Sequence, residues 1–211
     1  DGGRQYFTRA YDFGFSKNAT ETFKHWPHDE LLGDVVTVMR AFRPQVVVSV
    51  WSGTPADGHG HHQVSGILAR EAFDAALDTV RFPAARYGQP WEPLKLYRSA
   101  RFNSAAGTLG MNVGEYDAVL GRGYGEIAAE SRGQHRSQGF GRAQLQRGAV
   151  MEYVTREVSH VNDSTPPTSE RGLFDGIDTS FARLQRAATP QAKFALSNIR
   201  PLLDSARLVL N

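Results

Sequence analysis

The run Val46-Val47-Val48-Ser49-Val50-Trp51 constrains this chain more than any other stretch. It is short, β-branched and apolar at odd and even positions alike, which is the pattern of a strand covered on both faces. A helix precedes it, with Leu31, Leu32, Val35, Val36, Met39 and Phe42 at helical spacing, His28 or Asp29 placed to cap it, and Pro44 to stop it. Ser52 to Gly60 holds three glycines and a proline and reads as a loop. A second helix begins near His61 and continues through Val64, Ile67, Leu68, Ala72, Ala75 and Leu77. The order helix, buried strand, loop, helix predicts an α/β layered, Rossmann-like domain with a mostly parallel sheet and Val46–Trp51 as an interior strand.

The remainder of the chain fits that frame more loosely. Residues 1–24 mix aromatic and basic side chains without a clean period and read as a packed loop with at most one short strand. Residues 81–93 form a long connection; 94–99, 109–116 and 150–158 read as strands; and 126–138 reads as a helix behind the glycine-rich turn Gly121–Gly125. That turn could cradle an anion on helix N–H groups, but it lacks a full phosphate-loop pattern and reads better as a loop rim. Thr189-Pro190 is a cap and first-turn pair that opens a C-terminal helix, kinked or broken at Pro201. The domain expectation is an α/β domain over 1–160 and a helical extension over 161–211.

Composition narrows the chemistry. With no cysteine in 211 residues there is neither a disulfide nor a thiolate site, so a metal would need imidazole and carboxylate ligands. Lys and Arg number 24 against 22 Asp and Glu, and the basic residues are dispersed, so no concentrated stripe marks a nucleic-acid partner. The longest apolar run is far too short to span a bilayer. The chain opens Asp1-Gly2-Gly3 without a Met, which reads as processed or truncated and leaves the compartment open.

The densest chemical signal is Thr54-Pro55-Ala56-Asp57-Gly58-His59-Gly60-His61-His62-Gln63, which gathers three of seven histidines within four residues. It follows the carboxyl end of the buried strand, where open α/β sheets place their ligands. A solvated histidine-rich turn is the bland alternative, but imidazoles clustered at a strand end are better suited to ligation and proton transfer. With its flanks Phe42-Arg43-Pro44 and Ile67-Leu68-Ala69-Arg70-Glu71-Ala72-Phe73, this stretch resembles the second motif of the PIG-L/LmbE zinc-dependent N-deacetylases. Ser131-Arg132-Gly133-Gln134-His135-Arg136-Ser137-Gln138 looks like that family's later His-x-Ser-Gln helix.

The resemblance implies the C-terminal part of a deacetylase domain, with an α/β fold incomplete at its N-terminus. By position, His62 matches the Zn2+ ligand and His59 the histidine that steadies the oxyanion or protonates the leaving amine. Asp57 is a second catalytic candidate, while His61, Arg132 and His135 are candidates for substrate contact. The implied substrate is an N-acetylated amino sugar or related conjugate. Gly60 and His61 stand where the family has Pro and Asp, and the family's first motif, which brings two ligands and the general base, has no counterpart. Trp26-Pro27-His28-Asp29-Glu30 only resembles it and fits a helix start, with His25 and His28 at the surface. The expected partner is therefore the missing N-terminal portion or a second copy. The competing expectation is a non-catalytic carbohydrate-binding or scaffolding piece of a larger protein.

Overall fold

A computed structural model describes residues 3–135, 137, 148–161, 165–180, 182–183, 186 and 189–210. The chain divides into two compact units, Asp1–Leu173 and Phe174–Asn211. The first holds α1 (Ala19–Thr22), α2 (His28–Phe42), β1 (Val46–Ser49), α3 (Gly60–Ala75), α4 (Ala84–Tyr87), β2 (Lys95–Ser99), β3 (Leu109–Asn112), β4 (Tyr116–Asp117), β5 (Arg122–Gly123), α5 (Tyr124–Gly133) and β6 (Met151–Ser159). In the second unit, α6 (Pro190–Leu210) runs through Pro201, where a kink or break was expected. Among the described residues no helix is long and apolar enough to cross a membrane.

The sheet is mixed, in the order β1-β2-β6-β3. β1 and β2 run parallel, with Val47 opposite Leu96, whereas β6 is antiparallel to both β2 and β3. Two sequence expectations are corrected here. Among the described strands the sheet is mixed rather than mostly parallel, and β1 is not interior, since only β2 pairs with it. Exposure agrees: Val48 is 45% and Val50 44% exposed, so the apolar run has one covered flank and one open one. β-branched composition reports affinity for a sheet, not the number of neighbours.

The helix pair is as the periodicity predicts. Leu31, Leu32, Val36 and Met39 of α2 interdigitate with Val64, Leu68 and Ala72 of α3, and Val47 of β1 packs against them. Each fully covered side chain of this size contributes about 1.5–3 kcal/mol. A second cluster, Tyr97, Leu109 and Val154, draws on β2, β3 and β6 and is joined by Leu173. α2 begins after Pro27 with no side-chain cap, so His28 and Asp29 are its first residues and not caps as expected.

Two buried polar groups fix the less regular parts. The Arg40 guanidinium donates to the carbonyls of Ala76 (2.8 Å), Asp78 (2.8 Å), Phe82 (2.7 Å) and Gly88 (3.0 Å), which pins the turns after α3. Lys95 and Arg156 both donate to Glu170 Oε1, at 2.6 and 2.7 Å, and hold residues 165–173 to the sheet. Residues 3–24 form no strand. They lie over α2 and α3, anchored by a two-pronged Arg9–Asp34 pair (2.9 and 2.7 Å) that holds the Asp34 carboxyl below its ordinary range.

Candidate functional site

The loop after β1 is shaped by one carboxylate. Asp57 closes a short 3₁₀ turn, Pro55–Asp57, and accepts from the main-chain N–H of Ser52 (3.0 Å), Gly53 (2.7 Å) and Thr54 (3.2 Å) and from the Ser52 hydroxyl (2.9 Å). Gly58 then takes φ of 86°, a left-handed turn that suits a residue without Cβ. This turn delivers His59 to the N-terminus of α3 and puts His61 and His62 in its first turn. His62 Nδ1 lies 3.1 Å from the Asp57 carbonyl, so it is the donor there, which in the neutral ring leaves the lone pair on Nε2.

The imidazoles are held by ring contacts. The Trp51 indole stacks on His62 at 3.4 Å between centroids, and His59 covers His62 at 3.8 Å. On its other side Trp51 meets Phe102, at 5.7 Å and 21°. His61 turns the other way, stacked on Trp26 at 4.7 Å and edge-on to Phe13 at 4.6 Å. His59 Nδ1 and His61 Nε2 are buried without a hydrogen-bond partner. Burial, and then the neighbouring His62 and His61, lowers the His59 pKa. Burial also lowers that of His61, against a smaller upward pull from Asp12.

Both departures from the family motif have a local cause. The Gly60 N–H donates to the Ser16 carbonyl at 2.9 Å, and a Cβ at Gly60 would run into the Asn18 carbonyl and the Thr22 hydroxyl. A proline there would lose the bond and collide with the crossing segment. Gln63 secures the same crossing, accepting from Ala19 N–H at 3.0 Å and donating to the Gly58 carbonyl at 2.8 Å. His61, where an Asp was expected, fills an aromatic slot made by that segment and the residues following α1.

Four of the six sequence candidates, Asp57, His59, His61 and His62, thus share the loop and the first turn of α3, but only His59 and His62 are stacked together; the Asp57 carboxylate is turned to the loop backbone and His61 to the aromatic slot. Arg132, in the last turn of α5, and His135 just beyond it are both exposed, and neither joins the ring contacts of the loop. Of the later motif, Arg136 and Gln138 lie outside the described residues. His25 is exposed and stacked on Phe13, whereas His28 is half-buried between Asp29 (2.9 Å) and Glu71 (2.7 Å). Sequence reading missed Trp51 and Phe102. Trp51 reads as the end of the strand, and no spacing signal ties Phe102 to the loop. It also missed a cleft of about 220 Å³ beside the loop, at the carboxyl ends of β1 and β2.

Among the described residues, no three His, Cys, Asp or Glu side chains come together in an arrangement that could hold a metal. His62 Nε2 suits a zinc ligand, but Asp57 is engaged by the loop backbone and His61 faces the aromatic slot. The residues present thus do not by themselves fit the ion.

No family profile matches the chain. Over 75 residues, 36% of its length, it is 33% identical to the mycothiol S-conjugate amidase of Streptomyces coelicolor, and this stretch spans 25% of that protein. A partial, distant similarity to an amidase is what the comparison establishes.

Proposed function

We propose that this chain carries the histidine side of a hydrolytic site that cleaves the N-acyl amide of an N-acetylated amino sugar or related conjugate. The observation that carries the reading is the Asp57-ordered loop at the carboxyl end of β1, which presents His59 and the lone pair of His62 Nε2 together. The partial similarity to an amidase agrees in reaction class.

In this reading each loop residue has a distinct part. Asp57, its acceptor sites taken by four donors, shapes the loop and does not move a proton. His59, kept neutral by burial and by its imidazole neighbours, offers an N–H as negative charge gathers on the amide oxygen. Once it has taken up the proton that the base removes from water, the same ring, then an imidazolium, would pass that proton to the departing amine and return to its neutral form. His62 contributes one donor to a Zn2+ site. The remaining ligands and the base come from a second segment along the open edge of β1, either a preceding portion of the same domain or a second copy.

The test is acetate release from N-acetylglucosamine by residues 1–211 and by the longest product of the gene. The shorter chain should release none. In the longer one, His62→Ala should abolish bound zinc, His28→Ala should retain it, and His59→Ala should lower kcat by about 10²–10⁴-fold with zinc unchanged. Equal zinc losses at His62 and His28 would sink the ligand assignment. Sugar binding without turnover by the longer product would favour the non-catalytic carbohydrate-binding reading.

A further inference from the structure

The helix α6 repeats itself. Its 21 residues fall into three blocks, 190–196, 197–203 and 204–210, and in six of the seven resulting columns the residues are of one kind. Leu196, Leu203 and Leu210 form one column and Ala192, Ile199 and Ala206 another, alternating at spacings of four and three. These are the a and d columns of a coiled-coil seam. The g column, Ala195, Leu202 and Val209, extends the seam on one side, and the e column, Lys193, Arg200 and Arg207, borders it on the other. Pro201 falls in the f column, opposite the seam, where a proline ring displaces no seam contact.

At its described positions the seam is open: Leu196 is only half-buried, Ile199 is 40% exposed and Leu202 69%. Such a helix does not stand on propensity. An interior proline costs about 3 kcal/mol, and even without one a lone helix of this length is marginal in water. Its stability comes from packing of the apolar face. A strict seven-residue repeat, unlike the 3.6-residue period of a helix laid on a globular core, keeps that face turned to one partner helix along its whole length.

Charge identifies the partner. Three cations stand in one column, against a single carboxylate, Asp204, on the whole helix. In a parallel pair with a second copy they would face the aliphatic g column, with no counter-charge, and in an antiparallel pair they would face one another. An anionic lipid surface attracts cations but reads no seven-residue spacing, and the other polar border, Gln191, Asn198 and Ser205, offers it no charge. We propose that α6 is one strand of a heterotypic coiled coil whose other strand is an acidic amphipathic helix, with Asp or Glu at every seventh residue against Lys193, Arg200 and Arg207. This docking is independent of the hydrolase reading.

The experiment titrates the whole chain into a dye-labelled three-heptad peptide with Leu at a and d and Glu at e and g, followed by fluorescence anisotropy. Binding should saturate at one peptide per chain and weaken as salt rises. A peptide of the same composition with Glu moved to the b and f columns should bind about tenfold more weakly, and Ile199→Asp should weaken the matched peptide at least as much. Reversing the border, with Lys193→Glu, Arg200→Glu and Arg207→Glu together, should lose the Glu peptide and gain its Lys counterpart, an exchange that misfolding does not produce. Equal binding of the two registers, or no saturable binding, would overturn the proposal. So would phosphatidylglycerol vesicles bound more tightly than the matched peptide, or a dimer of the chain by sedimentation that Ile199→Asp dissolves and the charge reversal leaves intact.

Discussion

Trp51 and His62 lie face to face, with ring centroids 3.4 Å apart and planes inclined by only 12°. Ten residues separate them, and the Asp57 turn brings them together. Together with the bond from His62 Nδ1 to the Asp57 carbonyl, the stack leaves the imidazole a single orientation. Trp51→Ala should broaden the His62 side-chain resonances into several conformers and cost about 1–2 kcal/mol of stability, while Trp51→Phe preserves most of both. Unchanged His62 line shapes in Trp51→Ala would mean that the carbonyl bond alone sets the ring.

The crossing over Gly60 makes a sharper prediction. Gly60→Pro would match the related motif at that position, yet it removes the N–H bonded to Ser16 and drives atoms into Asn18 and Thr22. The expected cost is about 3 kcal/mol or more, read as a lower urea midpoint. Gly60→Ala keeps the N–H but not the space and should also destabilise. A Gly60→Pro variant as stable as the parent would show that the segment at residues 16–22 does not rest on the loop in solution.

Histidines in this unit should respond to pH in opposite senses. His59 and His61 bind protons less readily folded than unfolded, chiefly because burial penalises the charged ring. Their contribution is present above the unfolded value near ~6.5 and is lost as pH falls through the lower folded values. At His28 burial also lowers the pKa, but the bonds to Asp29 and Glu71 outweigh it and the net shift is upward. Its contribution is present below ~6.5 and fades as pH rises through the folded value. His61→Phe should therefore blunt the loss of stability on acidification, and His28→Gln should blunt the loss above neutrality. Parallel urea midpoints for variants and parent across pH 5–8 would contradict both assignments.

The buried group around Glu170 should be unforgiving of partial removal. Glu170 Oε1 meets Lys95 and Arg156, and the Lys95 and Glu170 side chains are fully covered. Glu170→Ala takes the carboxylate away from a buried ammonium and should cost about 3–5 kcal/mol, whereas Lys95→Met with Glu170→Leu should recover much of that loss. The thermal midpoints of the single and double variants decide it, and a double variant no better than Glu170→Ala would rule out stranded charge as the cause.

What could be read from the sequence divides by the range of the forces involved. α2, α3 and β6 are visible because their apolar positions repeat at local spacing. So is the crowding of histidines at a strand end. The edge position of β1 is not visible, since pairing depends on which distant strands are available and Val46–Ser49 carries no mark of it. Nor is the engagement of the Asp57 carboxylate by four donors from Ser52 to Thr54 visible, since a sequence shows the residue and not its partners. The stacking of Phe102 on Trp51 closes a loop of some fifty residues, beyond the reach of any periodic signal.

Arg40 concentrates constraint in an unusual way. All four of its partners between Ala76 and Gly88 are main-chain oxygens, which every residue type possesses. The turns it gathers are thus held in part through atoms that their own substitutions cannot remove, while Phe82 in the core and the Asp78 carboxylate, which accepts from the N–H groups of Val80 and Arg81, add side-chain anchors of their own. Leu77 and Val80 point outward, and such positions are free to change their letters while the path is kept. For them, mutational sensitivity is carried by a codon nearly forty positions upstream.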